Sequence, residues 1–170
     1  VIAGQGTLGL EILDQIPDAA AIALPLSGGG LLSGVALAAK TLRPDIRIIG
    51  ISMERGAAMA ASLAAGHPVE VTELATLADS LGGGIGLQNR LTFAMCRDLM
   101  DGLILLTEAE IAAGIRHLAR EDGEIVEGAA AVGAGAILAG KLRGPGPLVL
   151  ILSGANIDPA RHAAILGETP

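Results

Sequence analysis

Four short apolar runs punctuate this 170-residue chain, and their spacing limits the fold more than any other feature. They read AIALPL at 21–26, IRIIGIS at 46–52, GLILLT at 102–107 and LVLILS at 148–153. Near-continuous apolar character of this kind marks strands covered on both faces. Between them lie Ala-rich stretches of helical character at 31–43, 56–66, 87–100, 108–121 and 127–142, with another at 158–166. Thr107 followed by Glu110 is a capping-box pattern and sets a helix start at 108. Buried strands separated by helices predict an α/β fold, an open parallel sheet with helices on both faces. The run 1–170 reads as a single domain.

Composition narrows the function classes. Hydrophobic residues make up 51% and charged residues 17%, which excludes a disordered chain. Phe93 is the only aromatic residue, so core volume must come from Leu, Ile, Val and Ala. Single-stranded nucleic acid finds no stacking platform, and a net charge of −7 repels a phosphate backbone. No nucleic-acid partner is expected. Cys96 is the lone cysteine, set among apolar residues at helical spacing, and reads as a core thiol. The first residues carry neither a basic stretch nor a cleavage site, which gives a cytoplasmic expectation. Residues 19–39 are uncharged and long enough to span a bilayer, but Pro25, Ser27 and three glycines interrupt them. They read as strand, turn and helix rather than a membrane segment.

Three glycine clusters are the candidates for chemistry. GQGTLG at 4–9 fits a dinucleotide-binding pattern, yet only three residues precede it where a strand should stand. Its expected form is a glycine turn with Thr7 capping a helix. SGGGLLSG at 27–34 has the better context, because it joins a strand to an apolar helix. Consecutive glycine N–H groups and a helix N-terminus together suit a phosphate monoester, with the Ser27 hydroxyl as a further donor. The third cluster, ADSLGGGIG at 78–86, again permits close backbone approach, and Asp79 reads as a cap or as a lining residue. Beyond the last strand stand Ser153 and Asn156, at the edge where open α/β sheets bind ligands. Glu127 heads an apolar helix, as a favourable N-terminal charge or as a carboxylate facing a ligand. His67, His117 and His162 lack metal-ligand spacing and read as surface residues. No metal site is expected.

GQGT, SGGGLLSG, TLADSLGGGIG, LTEAEI, EGAAAVGAGAIL and SGAN occur here in one order. In that order they resemble the C-terminal half of the fold-type II pyridoxal-phosphate enzymes, in the threonine dehydratase and serine racemase group. The segment DSLGGGIGLQNR looks most like the hydroxyectoine-utilisation dehydratases. The resemblance implies pyridoxal 5'-phosphate (PLP) as cofactor, with its phosphate held by Ser27, Gly28, Gly29, Gly30 and Leu31. It places Ser153 at the pyridine nitrogen, Glu127 and Asn156 near the cofactor, and residues 79–84 beside its ring. The implied reaction on a small hydroxy amino acid is α-proton abstraction, β-elimination of hydroxide, then hydrolysis to a keto acid and ammonia. Racemase chemistry is the alternative within the family, and a non-catalytic module for a phosphorylated ligand is the alternative outside it. The family's usual state implies a homodimer.

One departure carries weight. The family forms its Schiff base on a lysine in an S-x-K motif, and this chain has only Lys40 and Lys141, neither in such a motif. No residue here is therefore expected to be catalytic. The chain reads as a C-terminal part of the large PLP domain, without the N-terminal half or small domain, and inactive by itself. Ser52, Ala57 and Ala58 stand where some members place acidic metal ligands.

Overall fold

A computed structural model describes residues 1–167 as an α/β unit built on one four-stranded parallel sheet. The strands are β1 (Ala21–Pro25), β2 (Arg47–Met53), β3 (Gly102–Leu106) and β4 (Leu148–Leu150). The helices are α1 (Ile2–Gln15), α2 (Gly30–Leu42), α3 (Ala58–Ala65), α4 (Thr92–Leu99), α5 (Glu108–His117), α6 (Val132–Leu138) and α7 (Pro159–Leu166). The strands lie in the order β3-β2-β1-β4. Register is set by pairs such as Leu24 with Gly50, and Ile22 with Val149.

Side chains alternate across the sheet and feed two separate cores. Ile22, Leu24 and Ile48 face one core, shared with α1, α2 and α4. Ala23, Ile49 and Ile51 face the other, shared with α5 and α6. Period-2 alternation normally separates wet from dry, whereas here it separates two apolar layers. Both layers close by backbone contact rather than by bulky side chains, as the near-absence of aromatics requires. On the first face a methyl at Gly9 would stand 2.8 Å from the Val35 carbonyl, and one at Gly34 would strike the Ile2 carbonyl. On the second face Gly114 meets the Ala131 carbonyl, and a methyl at Gly135 would stand 2.6 Å from that of Glu110.

The chain start corrects the sequence reading. GQGTLG forms no turn, because Gly4, Gly6 and Gly9 all lie inside α1 and Thr7 donates to the Gly4 carbonyl from within it. Glycine disfavours helix by about 1 kcal/mol per residue, but Gly6 and Gly9 are what allow α1 to lie on the backbone of α2. His162 is also corrected. It is 8% exposed, and its Nε2 has no hydrogen-bond partner among the described residues. Other elements are shorter than expected. The stretch 87–100 is helical only from Thr92, while 127–142 is a turn followed by the seven-residue α6. Residues 108–121 stay helical but change pitch after His117 into a π-turn (Leu118–Asp122) that Gly123 closes at φ 72°. Cys96 is fully buried, as expected.

The capping box at α5 is complete. Thr107 Oγ1 accepts from the Glu110 N–H at 3.2 Å, and the Glu110 carboxylate accepts from the Thr107 N–H at 2.8 Å. Thr107→Ala should lower stability by about 1 kcal/mol, read as a lower urea midpoint at unchanged slope. The Lys141 ammonium, 2.7 Å from Glu110, is the main cause holding that carboxyl below its ordinary range. Its contribution is present above the unfolded carboxylate range and is lost as pH falls through the lower folded value. Lys141→Met should therefore flatten the acid limb of the stability profile, whereas Thr107→Ala, which keeps the Thr107 N–H, should largely preserve it.

Candidate cofactor site

Strand order fixes where a ligand can enter. The chain steps from β1 outward to β2 and β3, then crosses back to lay β4 on the other side of β1. Loops leaving β1 and β4 therefore diverge, and the crevice between strand ends at such a reversal is where open α/β sheets bind ligands. The loop leaving β1 is SGGG, and the loop leaving β4 carries Ser153. Both line one cavity of about 160 Å³, together with Pro25, Ser80, Leu81 and Ala129.

The three glycines have separate reasons. Gly29 adopts φ 85°, and a methyl there would lie 2.7 Å from Cys96 Sγ and 3.0 Å from Met59 Cε. At Gly30 a methyl would meet Val1 Cγ1 at 2.9 Å. At Gly28 it would meet nothing within 4 Å, and Gly28 is not among the positive-φ glycines. Protein packing thus accounts for two glycines and leaves Gly28 bare and exposed, on the lining of the cavity. Gly29 is also the N-cap of α2 and supplies no side-chain cap, so the helix's first N–H groups stay uncapped beside that space. A phosphate group fits this cup, because it needs N–H donors, a positive helix end and no intervening Cβ.

Beneath the cup, Cys96 Sγ lies 3.9 Å from the Gly29 carbonyl and 3.8 Å from Ser33 Oγ. Burial pushes the Cys96 thiol above its ordinary value, with the Ser33 contact opposing the shift. The sulfur is packing for the loop, and its environment disfavours the thiolate.

Glu127 ties three segments together. Its carboxylate accepts from Ser80 Oγ at 2.9 Å and from the Asn156 N–H at 3.2 Å, while the Gly154 backbone closes over it. It is a half-buried clasp at the rim, and the Asn156 side chain does not line the cavity. Asp79 points away, to Arg161 at 3.1 Å, and the residue of that turn that lines the cavity is Ser80. Ser80 belongs to the segment TLADSLGGGIG, but only the 3-10 turn Asp79–Leu81 shows which of its side chains faces in.

The two lysines stand elsewhere. Lys40 pairs with Asp101 at 2.7 Å, and Asp101 also accepts from the Ile48 N–H, which puts both at the amino ends of the strands. Lys141 donates to the Leu105 carbonyl at 2.9 Å, close to the carboxyl end of β3. That strand is the sheet edge, two strands from β1, or about 10 Å away. Among the described residues no group of three or more His, Cys, Asp or Glu is placed to hold a metal ion, and no helix is long and apolar enough to cross a membrane.

The profile of the pyridoxal-phosphate dependent enzymes matches residues 1–154. The chain belongs to that family. It is 57% identical over 167 residues to a Sinorhizobium fredii protein provisionally named threonine dehydratase, covering 98% of this chain and 50% of that one. It is 40% identical over 159 residues to the L-threonine ammonia-lyase of Thermotoga maritima, covering 93% and 39%. Maize serine racemase superposes with a TM-score of 0.86 at 36% identity, over 94% of this chain and 50% of that structure. The chain thus spans about half the length of the relatives it matches, and the expected fold type is the one these structures share. The family is PLP-dependent.

Proposed function

We propose that this chain is the cofactor-cradling part of a PLP-dependent lyase that eliminates the β-hydroxyl from a small threonine- or serine-like amino acid. The observation that carries the reading is Gly28, bare of protein neighbours on the lining of the cavity that Ser153 also lines. Support comes from relatives named threonine dehydratase and L-threonine ammonia-lyase. When bound, PLP supplies the electron sink that lets a bond at the amino-acid α-carbon break. The Ser27–Leu31 loop and the start of α2 bind and orient the phosphate. Ser153 offers the pyridine nitrogen a neutral hydroxyl, which does not hold a proton there as a carboxylate would. Glu127 keeps Ser80 and the 154–156 loop at the rim. The hydroxyectoine-type substrate, a homodimer and a cytoplasmic setting belong to the same proposal, as does inactivity of this stretch without a Schiff-base lysine.

The test adds PLP or pyridoxal to the chain, measures binding by fluorescence, then reduces with borohydride. PLP should bind at least about tenfold more tightly than pyridoxal, and no adduct should form on Lys40 or Lys141. Equal affinities would remove the phosphate cup, and an adduct would remove the lysine-free reading. A simple alkyl phosphate that binds as well as PLP would favour the non-catalytic module.

A further inference from the structure

Arg161, on the first turn of α7, reaches across to residues 76–79 beside the cup. Its Nη1 donates to Asp79 Oδ2 at 3.1 Å, and its Nη2 donates to the Thr76 carbonyl at 3.0 Å. The other oxygen of Asp79 accepts from the Ser80 N–H at 2.9 Å. One carboxylate thus joins Arg161 to a residue that lines the cavity. Glu127 carries the chain of bonds from Ser80 to the Asn156 N–H, and Asp158 caps α7 by accepting from the Arg161 N–H at 2.9 Å. Together they close a ring along the rim, with Arg161 as its only cation. The helix that carries Arg161 is itself seated, since His162 is buried and Arg116 donates to the Ile165 carbonyl at 3.3 Å. The segment up to Ala78 is fixed by other means. Ala78 is fully buried, the Leu77 N–H donates to Glu108 at 2.6 Å, and Gly128 packs against the Leu77 carbonyl. Asp79 and Ser80, by contrast, are exposed, and their side chains are held across the rim only by Arg161 and Glu127 among the described residues.

We infer that Arg161 is a positioning residue for the cofactor, holding the Ser80 wall of the cavity in place through Asp79. This role rests on the cofactor reading of the glycine cup. An exposed ion pair adds little to stability, and both partners here are exposed. The contribution is geometric. A guanidinium fork that spans two acceptors on one short segment fixes direction as well as distance, whereas a lysine ammonium is a point charge without that fork. Arg161 does not line the cavity, so it acts through Ser80 and not on the ligand. The phosphate cup, Ser27–Leu31, lies on a separate loop, and none of its residues bonds to the ring among the described residues. Loss of Arg161 therefore loosens the grip on the cofactor body and spares the grip on its phosphate.

The test titrates PLP and pyridoxal into this chain, unaltered and as Arg161→Gln, Asp79→Asn, Arg161→Lys and the double variant D79N/R161Q. Arg161→Gln should weaken both ligands about fivefold and leave the ratio between them unchanged. The double variant should lose no more than Arg161→Gln alone, as two residues acting through one link do. Arg161→Lys, which keeps the charge, should regain part of the affinity. In the ligand-free chain, amide NMR should show the Ser80 resonance moved by Arg161→Gln and by Asp79→Asn, with thermal midpoints lowered by less than about 4 °C. Full affinity in Arg161→Gln, or losses that multiply in the double variant, would overturn the proposal. So would a loss confined to PLP, which would make Arg161 a distant charge on the phosphate. A larger fall in the midpoint would make the loss one of folding and would overturn it equally. Absence of binding by the unaltered chain would remove the cofactor reading and this role together. A Ser80 amide unmoved by either substitution would remove this role alone.

Discussion

Gly28→Ala is expected to weaken PLP binding by about 100-fold while leaving the fold intact. The loss amounts to about two charge-assisted hydrogen bonds to the phosphate, displaced by one methyl. Stability should stay level or rise by up to about 1 kcal/mol, since Ala narrows the unfolded ensemble and the methyl meets no protein atom. Gly29→Ala is the control one residue away. It forces a left-handed residue at φ 85° and crowds Cys96 Sγ, so it should cost both binding and stability. Thermal melts and PLP titrations of the two variants separate a ligand glycine from a packing glycine. A stable Gly28→Ala variant that binds PLP at full strength would remove the cup assignment.

The largest stability effect should fall at Gly34. A side chain there points into the backbone of α1, at the Ile2 carbonyl, the Gly6 nitrogen and Gln5 Cβ. These are main-chain obstacles that cannot rotate away, so Gly34→Val must prise α1 off α2. About 3 kcal/mol is expected, at the upper end for overpacking, with a thermal midpoint about 6–12 °C lower for a chain of this size. Gly4→Ala, on the same helix pair but with open space at its Cβ, should instead be neutral or stabilising by up to about 1 kcal/mol. A stable Gly34→Val protein would mean that α1 does not dock on α2 as described.

These two positions also show why some of the molecule was legible in the sequence and some was not. The four strands and the loop at 27–31 were readable because runs such as AIALPL and IRIIGIS carry their own signal of double-sided burial. The joint of strand, glycines and helix is local as well. GQGTLG misled because a glycine reports only that a side chain is unwelcome, and not whether a ligand, a turn or another helix excludes it. Deciding between these needs Gly34, whose contact with Gly6 spans 28 positions of sequence. The role of Glu127 was hidden for the same reason. Its partners Ser80 and Asn156 lie on loops that only the order β3-β2-β1-β4 brings together. His162 was hidden by its chemistry, since an ordinary surface residue type is buried there on α7 without a partner among the described residues.

The sulfur under Gly29 makes the chain its own stopwatch. Cys96 is the only thiol, is fully buried, and sits where α2 and α4 meet the floor of the cup. A thiol reagent can reach it only when that seam parts, so labelling times the opening rather than the reactivity of sulfur. An anion seated on the loop above holds the seam shut, and the clock then slows by the fraction of time the cup is filled. Occupancy of a site without colour or catalysis could be read in this way from a single atom, without altering any residue.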